Sequence, residues 1–177
     1  MTDVTEAGSP CVMDDPTTLR IERLLPGPLD RAWRYLTVSD LRRQWLASGE
    51  MTLEEGASFE LVWRNEELSD PPGTRPEGFP EEHRMTCRIV EVDAPRKLVF
   101  TWGEKAEVMF QLEERGDDVL FTVIHSRVTD RAILLNVSAG WHAHLDVLVA
   151  RANGRKPESF WDRWLSLKSD YERRLNA

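Results

Sequence analysis

Residues 130–154 read DRAILLNVSAGWHAHLDVLVARANG, and the fold turns on how this stretch is read. Leu134, Val137, Trp141, Leu145, Leu148 and Ala152 recur at steps of three and four, which makes an apolar stripe on a helix of 3.6 residues per turn. Asp130 carries a side-chain oxygen able to accept an orphan N–H at a helix start. Gly154 can take the left-handed conformation that closes a helix end. The spacing therefore predicts one long helix over 130–154, the longest in the chain. Its stripe needs an apolar partner.

Upstream, the sequence supplies a sheet. Thr17–Leu25 alternates Leu19, Ile21 and Arg23 against Thr18, Arg20 and Glu22, and Pro26-Gly27-Pro28 stops it. Further strands are expected at Ser58–Arg64, Arg84–Val92, Lys97–Gly103, Glu104–Glu113 and Val119–Val128, with turns at Asp93–Arg96 and Arg115–Asp118. Short strands separated by turns imply an antiparallel meander. The middle strands are apolar on both faces, so the pattern alone leaves the inner face open.

Two short helices are expected after the first strand: Pro28–Thr37, with Leu29, Ala32, Trp33 and Leu36 on one face, and Asp40–Leu46, with Ser39 as its cap. A last helix is expected over Pro157–Leu175, following Arg155-Lys156, with Trp161 and Trp164 in its stripe. Those tryptophans must pack on the body or on a partner. Residues 1–16 are small, polar and acidic and are expected to form a mobile tail. Residues 65–82 hold four prolines and six acidic residues against Arg75. Prolines exclude a central strand, so this is a long loop, either a lid or a solvated insertion. The architecture is α+β: six antiparallel strands curved around a long helix, two short helices after the first strand, and an appended C-terminal helix.

Composition narrows the function. The 177 residues carry a formal charge of −8, which argues against nucleic acid or an anionic membrane as partner. Cys11 and Cys87 have neither metal nor redox spacing and read as two free thiols. There is no uninterrupted 18-residue apolar run and no signal-peptide pattern at the start, so the expectation is a cytoplasmic protein without membrane insertion. GxSxG, HExxH, P-loop and GxGxxG motifs are all missing. His142 and His144 lie two apart on a helix and point to nearly opposite sides, so no metal motif is assigned. His142 and Asp146 are helical neighbours expected to pair at the surface. No cofactor and no catalytic residue is assigned.

Several stretches resemble a known family. They are Trp33 with Leu36-Thr37, Leu41-x-x-x-Trp45-Leu46, the run Glu91–Trp102 (EVDAPRKLVFTW), Ile124-His125-Ser126, and Gly140–Leu145 (GWHAHL). Over about residues 17–153 the chain resembles the SRPBCC superfamily (START-like, helix-grip). More narrowly it is similar to the family named after the activator of Hsp90 ATPase homologue. The 65–82 loop and the Trp-rich helix of 154–177 depart from that pattern. The eukaryotic activator has a separate N-terminal domain that residues 1–16 are too short to supply.

The resemblance implies a deep apolar cavity between the long helix and the sheet, holding a lipid, an aromatic or a polyketide-like molecule. Trp63, Cys87, Phe100, Trp102, Phe110, Phe121, Val123, Trp141, Leu145 and Leu148 are candidates to line it. His125 and His144 are candidates for its polar groups; alternatively His125 is a structural histidine bonded to backbone. Two other readings stand beside this one. One is a chaperone-associated or regulatory protein, tied to stress response, that uses the acidic loop and an exposed Trp161/Trp164 patch; the last helix could also pair two copies of the chain. The other is a cyclase- or hydrolase-type enzyme using the same pocket.

Overall fold

The structure, a computed structural model, describes residues 9–175. Its elements are β1 (Val12–Asp15), β2 (Thr18–Pro26), α1 (Leu29–Thr37), α2 (Ser39–Arg42), β3 (Ser58–Trp63), β4 (His83–Asp93), β5 (Lys97–Trp102), β6 (Ala106–Arg115), β7 (Asp118–Ser126), α3 (Arg131–Ala152) and α4 (Phe160–Leu175). The sheet runs β1-β2-β7-β6-β5-β4-β3, antiparallel throughout. It has seven strands where six were expected. The seventh, Val12–Asp15, pairs with β2 inside the stretch expected as a tail, and residues 1–8 of that stretch lie outside the described residues. Its four residues, VMDD, are too short and acidic to show alternation, yet β2 offers them a free edge.

Register settles which face is inner. Ile21 pairs with Val123, Phe110 with Val123 and Leu98, and Phe59 with Cys87. Leu19, Ile21, Leu25, Phe59, Leu61, Ile89, Leu98, Phe100, Val108, Phe110, Phe121 and Val123 thus share one buried face. On the outer face Glu22 accepts from Thr122 Oγ1 at 3.1 Å and pairs with Arg20 at 3.1 Å.

The long helix forms as the sequence implies. Asp130 accepts from the Ile133 N–H at 3.0 Å. At the other end Gly154 has φ +68°, Arg155 N donates to Ala150 O at 2.8 Å and Gly154 N to Arg151 O at 3.1 Å, a Schellman closure. Burial is broader than the stripe, because Ser138, Ala139, His142, Ala143 and Val147 are buried too. The helix is covered by the sheet on one side and by α4 on the other. By length and composition it is apolar enough to cross a membrane, but here that apolar character meets protein on both faces.

Some element boundaries differ from those expected. α2 spans only Ser39–Arg42 with Val38 at its N-cap, and the Ser39 hydroxyl instead accepts from Gly49 N at 2.8 Å. The last helix starts at Phe160 rather than Pro157. Residues 65–67 form one 3₁₀ turn at the head of the long loop. That loop is fastened to α4. Phe160 N donates to Ser69 Oγ at 2.8 Å and Trp161 N to Pro72 O at 3.0 Å, while from α3 Arg151 Nη2 donates to Leu68 O at 3.1 Å. Gly73, at φ +81°, lies so close to α4 that a Cβ there would meet Asp162 N at 2.9 Å.

Candidate functional site

Two zones of the interior differ in how their aromatic side chains meet. Beneath α1 and α2, Trp45 sits fully buried with Nε1 donating to Tyr35 O at 2.8 Å. Its ring meets Phe110 at 6.2 Å and Phe121 at 6.0 Å, and Phe110 meets Phe100 and Phe121 edge-on at 5.2 Å each. This zone is closed.

On the other side, between the β3–β4 hairpin, α3 and α4, a cavity of about 480 Å³ opens. Trp63, His83 and Met85 come to it from the hairpin, and Trp102 from β5. Asn136, Val137, Gly140, Trp141 and His144 come from α3. The loop adds Phe79 and Pro80, and α4 adds Phe160, Trp161 and Trp164. The rings form two groups, Trp63 to Trp102 and Trp102 to Trp141 at 5.5 Å each, and Phe79 to Trp164 at 5.1 Å and to Trp161 at 5.5 Å.

Of the candidates named from sequence, the structure brings Trp63, Trp102, Trp141 and His144 to the cavity wall. Phe100, Phe110, Phe121, Val123, Leu145 and Leu148 lie in the packed core, as does Cys87, whose Sγ approaches Met85 O at 3.9 Å and whose thiol burial pushes up to about 12. His125 stands behind the wall. Trp141 Nε1 donates to its Nδ1 at 2.9 Å, so the neutral ring carries its proton on Nε2, and burial lowers its pKa to about 4. Its partner is thus an indole rather than backbone. His144 Nδ1 lies 2.8 Å from Trp45 O, an atom that only accepts. The proton is therefore on Nδ1, and Nε2 is an acceptor. Burial holds this ring near 4, against a smaller upward pull from the Trp45 carbonyl.

The pairing of His142 with Asp146 is not a surface feature. His142 is buried, its Nδ1 sits 2.8 Å from Tyr171 Oη, and Asp146 Oδ2 is 3.9 Å from Nε2. Tyr171 Oη also accepts from Cys11 N at 2.7 Å. Burial, then the nearby Arg23, Arg163 and Arg174 charges, lowers His142 to about 3. Among the described residues no group of His, Cys, Asp and Glu is arranged to hold a metal.

Sequence reasoning did not place Phe79, Gly140, Phe160, Trp161 or Trp164 at this site. Phe79 is the single aromatic of the 65–82 loop, which was the one available signal. Trp161 and Trp164 are buried on the body, so the exposed patch required by the interaction reading does not exist among the described residues.

Residues 26–153 match the family described as activator of Hsp90 ATPase homolog 1-like protein. The chain belongs to that family. Its antiparallel sheet and long helix are the helix-grip arrangement of the wider superfamily. The solution structure of the BPP1335 protein from Bordetella parapertussis is similar at 36% identity and TM-score 0.78, covering 98% of this chain and 95% of that one. CalU16 from Micromonospora echinospora matches at 21% identity and TM-score 0.67, over 90% of this chain and 89% of its own. DynU16, from the dynemicin biosynthetic locus, matches at 18% and 0.64, over 81% of this chain and 49% of its own. The last two establish likeness of fold alone. No protein of curated function matches the chain.

Proposed function

We propose that this helix-grip protein binds an apolar aromatic molecule bearing a hydroxyl, held in the cavity between α3, the β3–β4 hairpin and α4. The observation that carries the reading is the wall itself. Five tryptophans and two phenylalanines surround about 480 Å³, a volume within the range of small-molecule pockets. Large side chains that leave such space forgo contacts that a packed core would make, and an occupant restores them. The ring faces suit a flat apolar body. His144, neutral at pH 7 with Nε2 as acceptor, suits a hydroxyl donor.

A binding role is favoured over catalysis. The His144 ring is oriented by a backbone carbonyl rather than by a carboxylate that would support a general base. The loop, fastened to α4 through Ser69 and Pro72, brings Phe79 and Pro80 to the cavity wall, which supports its reading as a lid over that of a solvated insertion.

The test is a thermal-shift screen with planar phenols, their methyl ethers and saturated lipids. A ligand at a hundredfold excess over Kd stabilises the fold by about 2.7 kcal/mol. Phenols are expected to raise Tm more than their ethers. Gly140 faces the cavity with room for a side chain, since a Cβ there would stand 4.0 Å from Trp164 Nε1. Gly140→Phe should project a ring into the space and reduce the shift while the protein stays folded. A shift unchanged by Gly140→Phe would sink the assignment.

A further inference from the structure

The molecule contains two buried arginines, and they are solvated very differently. Arg42 and Arg23 are each 1% exposed. All three nitrogens of Arg42 meet carbonyls: Nε to Ala47 O at 3.1 Å, Nη1 to Leu36 O at 3.3 Å, and Nη2 to Gly49 O. Arg23 has one such bond, from Nη1 to Glu22 O at 2.7 Å. Its Nε and Nη2 are buried without a hydrogen-bond partner. The nearest carboxylate oxygen, Asp146 Oδ1, is 3.7 Å away, beyond bonding distance. Asp146 Oδ2 is already taken by Arg163 Nε at 3.1 Å. A buried guanidinium left so incompletely paired is costly unless something else completes its shell.

Arg23 forms the inner wall of a second pocket, about 220 Å³, between the last turns of α3, the 153–159 turn and the start of α4. Arg155, Lys156 and Arg163 border it, with Asp146 and Glu158 as its only carboxylates among the described residues. Four cations against two anions make a local excess of positive charge on a chain whose formal charge is −8. Arg155 and Lys156 are exposed, and neither is in an ion pair among the described residues. The C-terminal turn of α3 and the first turn of α4 both border the space with opposed dipole ends, so the side-chain charges decide its polarity.

We propose that this pocket binds a small oxyanion, a phosphate or a carboxylate group, with Arg23 as its deep ligand and Arg155 and Lys156 at its mouth. A guanidinium fork offers paired N–H donors to two oxygens of such a group. Asp146 stands beside the fork as an internal competitor, so an entering anion displaces it toward Arg163. The site is independent of what occupies the aromatic cavity, although Phe160 borders both.

The test is a titration of the ¹⁵N-labelled full chain with inorganic phosphate and, separately, with acetate, at fixed ionic strength, following the amides of residues 154–156 and 158–163 and the Arg23 Nε–H. Saturable shifts confined to these groups are expected, and the ion that saturates at lower concentration identifies the group. Arg155→Gln with Lys156→Gln, both on exposed positions, should weaken binding by about tenfold through loss of charge-assisted contacts. Asp146→Asn should tighten it, an effect that a purely structural Asp146 would not produce. Arg23→Met should abolish it; if that variant does not fold, the other two decide. Shifts that do not saturate with either ion, or that neither the double variant nor Asp146→Asn changes, would overturn the proposal.

Discussion

Phe110 and Trp102 stand on the same sheet face, one strand apart, yet they do opposite work. Phe110 is enclosed by Trp45, Phe100, Phe121 and Trp141, whereas Trp102 touches Trp63, Phe100, His125 and Trp141 and still borders open space. Residue type does not separate the two. What differs is the covering element. Over Phe110 the chain lays α1 and the Trp45 plug, fixed by a bond to Tyr35 O. Over Trp102 it lays a glycine of α3, a proline-rich loop and the edge of α4. An aromatic position in a sheet therefore becomes filler or wall according to what the rest of the chain brings across it.

The sharpest way to break this contrast is to truncate the closed zone. Phe121→Ala leaves a hole among Trp45, Phe110 and Arg23's strand, and should cost about 3–5 kcal/mol in urea denaturation. A loss near zero would mean that the closed zone is not packed as described.

Acid should strike both zones together. The unfolded chain takes up histidine protons near pH 6.5, while folded His125 and His144 do so only near 4. The unfolded state thus binds more protons between those values. The stability each neutral ring contributes is full above about pH 6.5 and is lost as pH falls toward 4. At pH 4.5 the loss should be on the order of 2 kcal/mol per histidine. Ligand in the cavity should protect His144, at the wall, more than His125 behind it, as read by NMR titration of the two rings. Equal response would erase the distinction between them.

Much of this was legible in the residues. The 3.6-residue period of 130–154, capped by Asp130 and Gly154, marks α3 within two residues. Alternation marks six of the seven strands, and β1 escapes because VMDD is too short to alternate. The site was legible only in part. Trp63, Trp102, Trp141 and His144 are candidates through the family resemblance, whereas alternation leaves the inner face open and only the strand register shows which side Trp63 and Trp102 take. Whether such a face is filled depends on elements distant in sequence. Phe79 and Trp161 are far apart along the chain and meet only because Ser69 and Pro72 fasten the loop to α4. No local pattern announces that contact. Arg23 is a similar case: a charged residue at an inward strand position reads as an irregularity, and its incomplete pairing shows only when Asp146 and Arg163 are set beside it.

Trp141 is the seam between the zones, and Trp141→Phe sharpens the comparison there. It removes the donor to His125 Nδ1 and leaves that acceptor buried and unpaired, a cost of about 1–3 kcal/mol. The indole N–H favours the neutral ring, so its loss should also raise the His125 pKa above about 4. A pKa that stays put would assign the whole depression to burial.

The smallest effect should fall on the open side. Met85, on β4, is half-buried and already borders the cavity, so part of its surface has no protein partner to lose. Met85→Ala should then cost about 1 kcal/mol or less, well below the usual range for a buried methionine. It also enlarges the cavity, so a bulkier phenol should gain in thermal shift over a smaller one. Should Met85→Ala cost as much as Phe121→Ala, the side chain would be fully packed, the space beside it would be closed in solution, and the division of this interior into a filled half and an open half would fail at its weakest point.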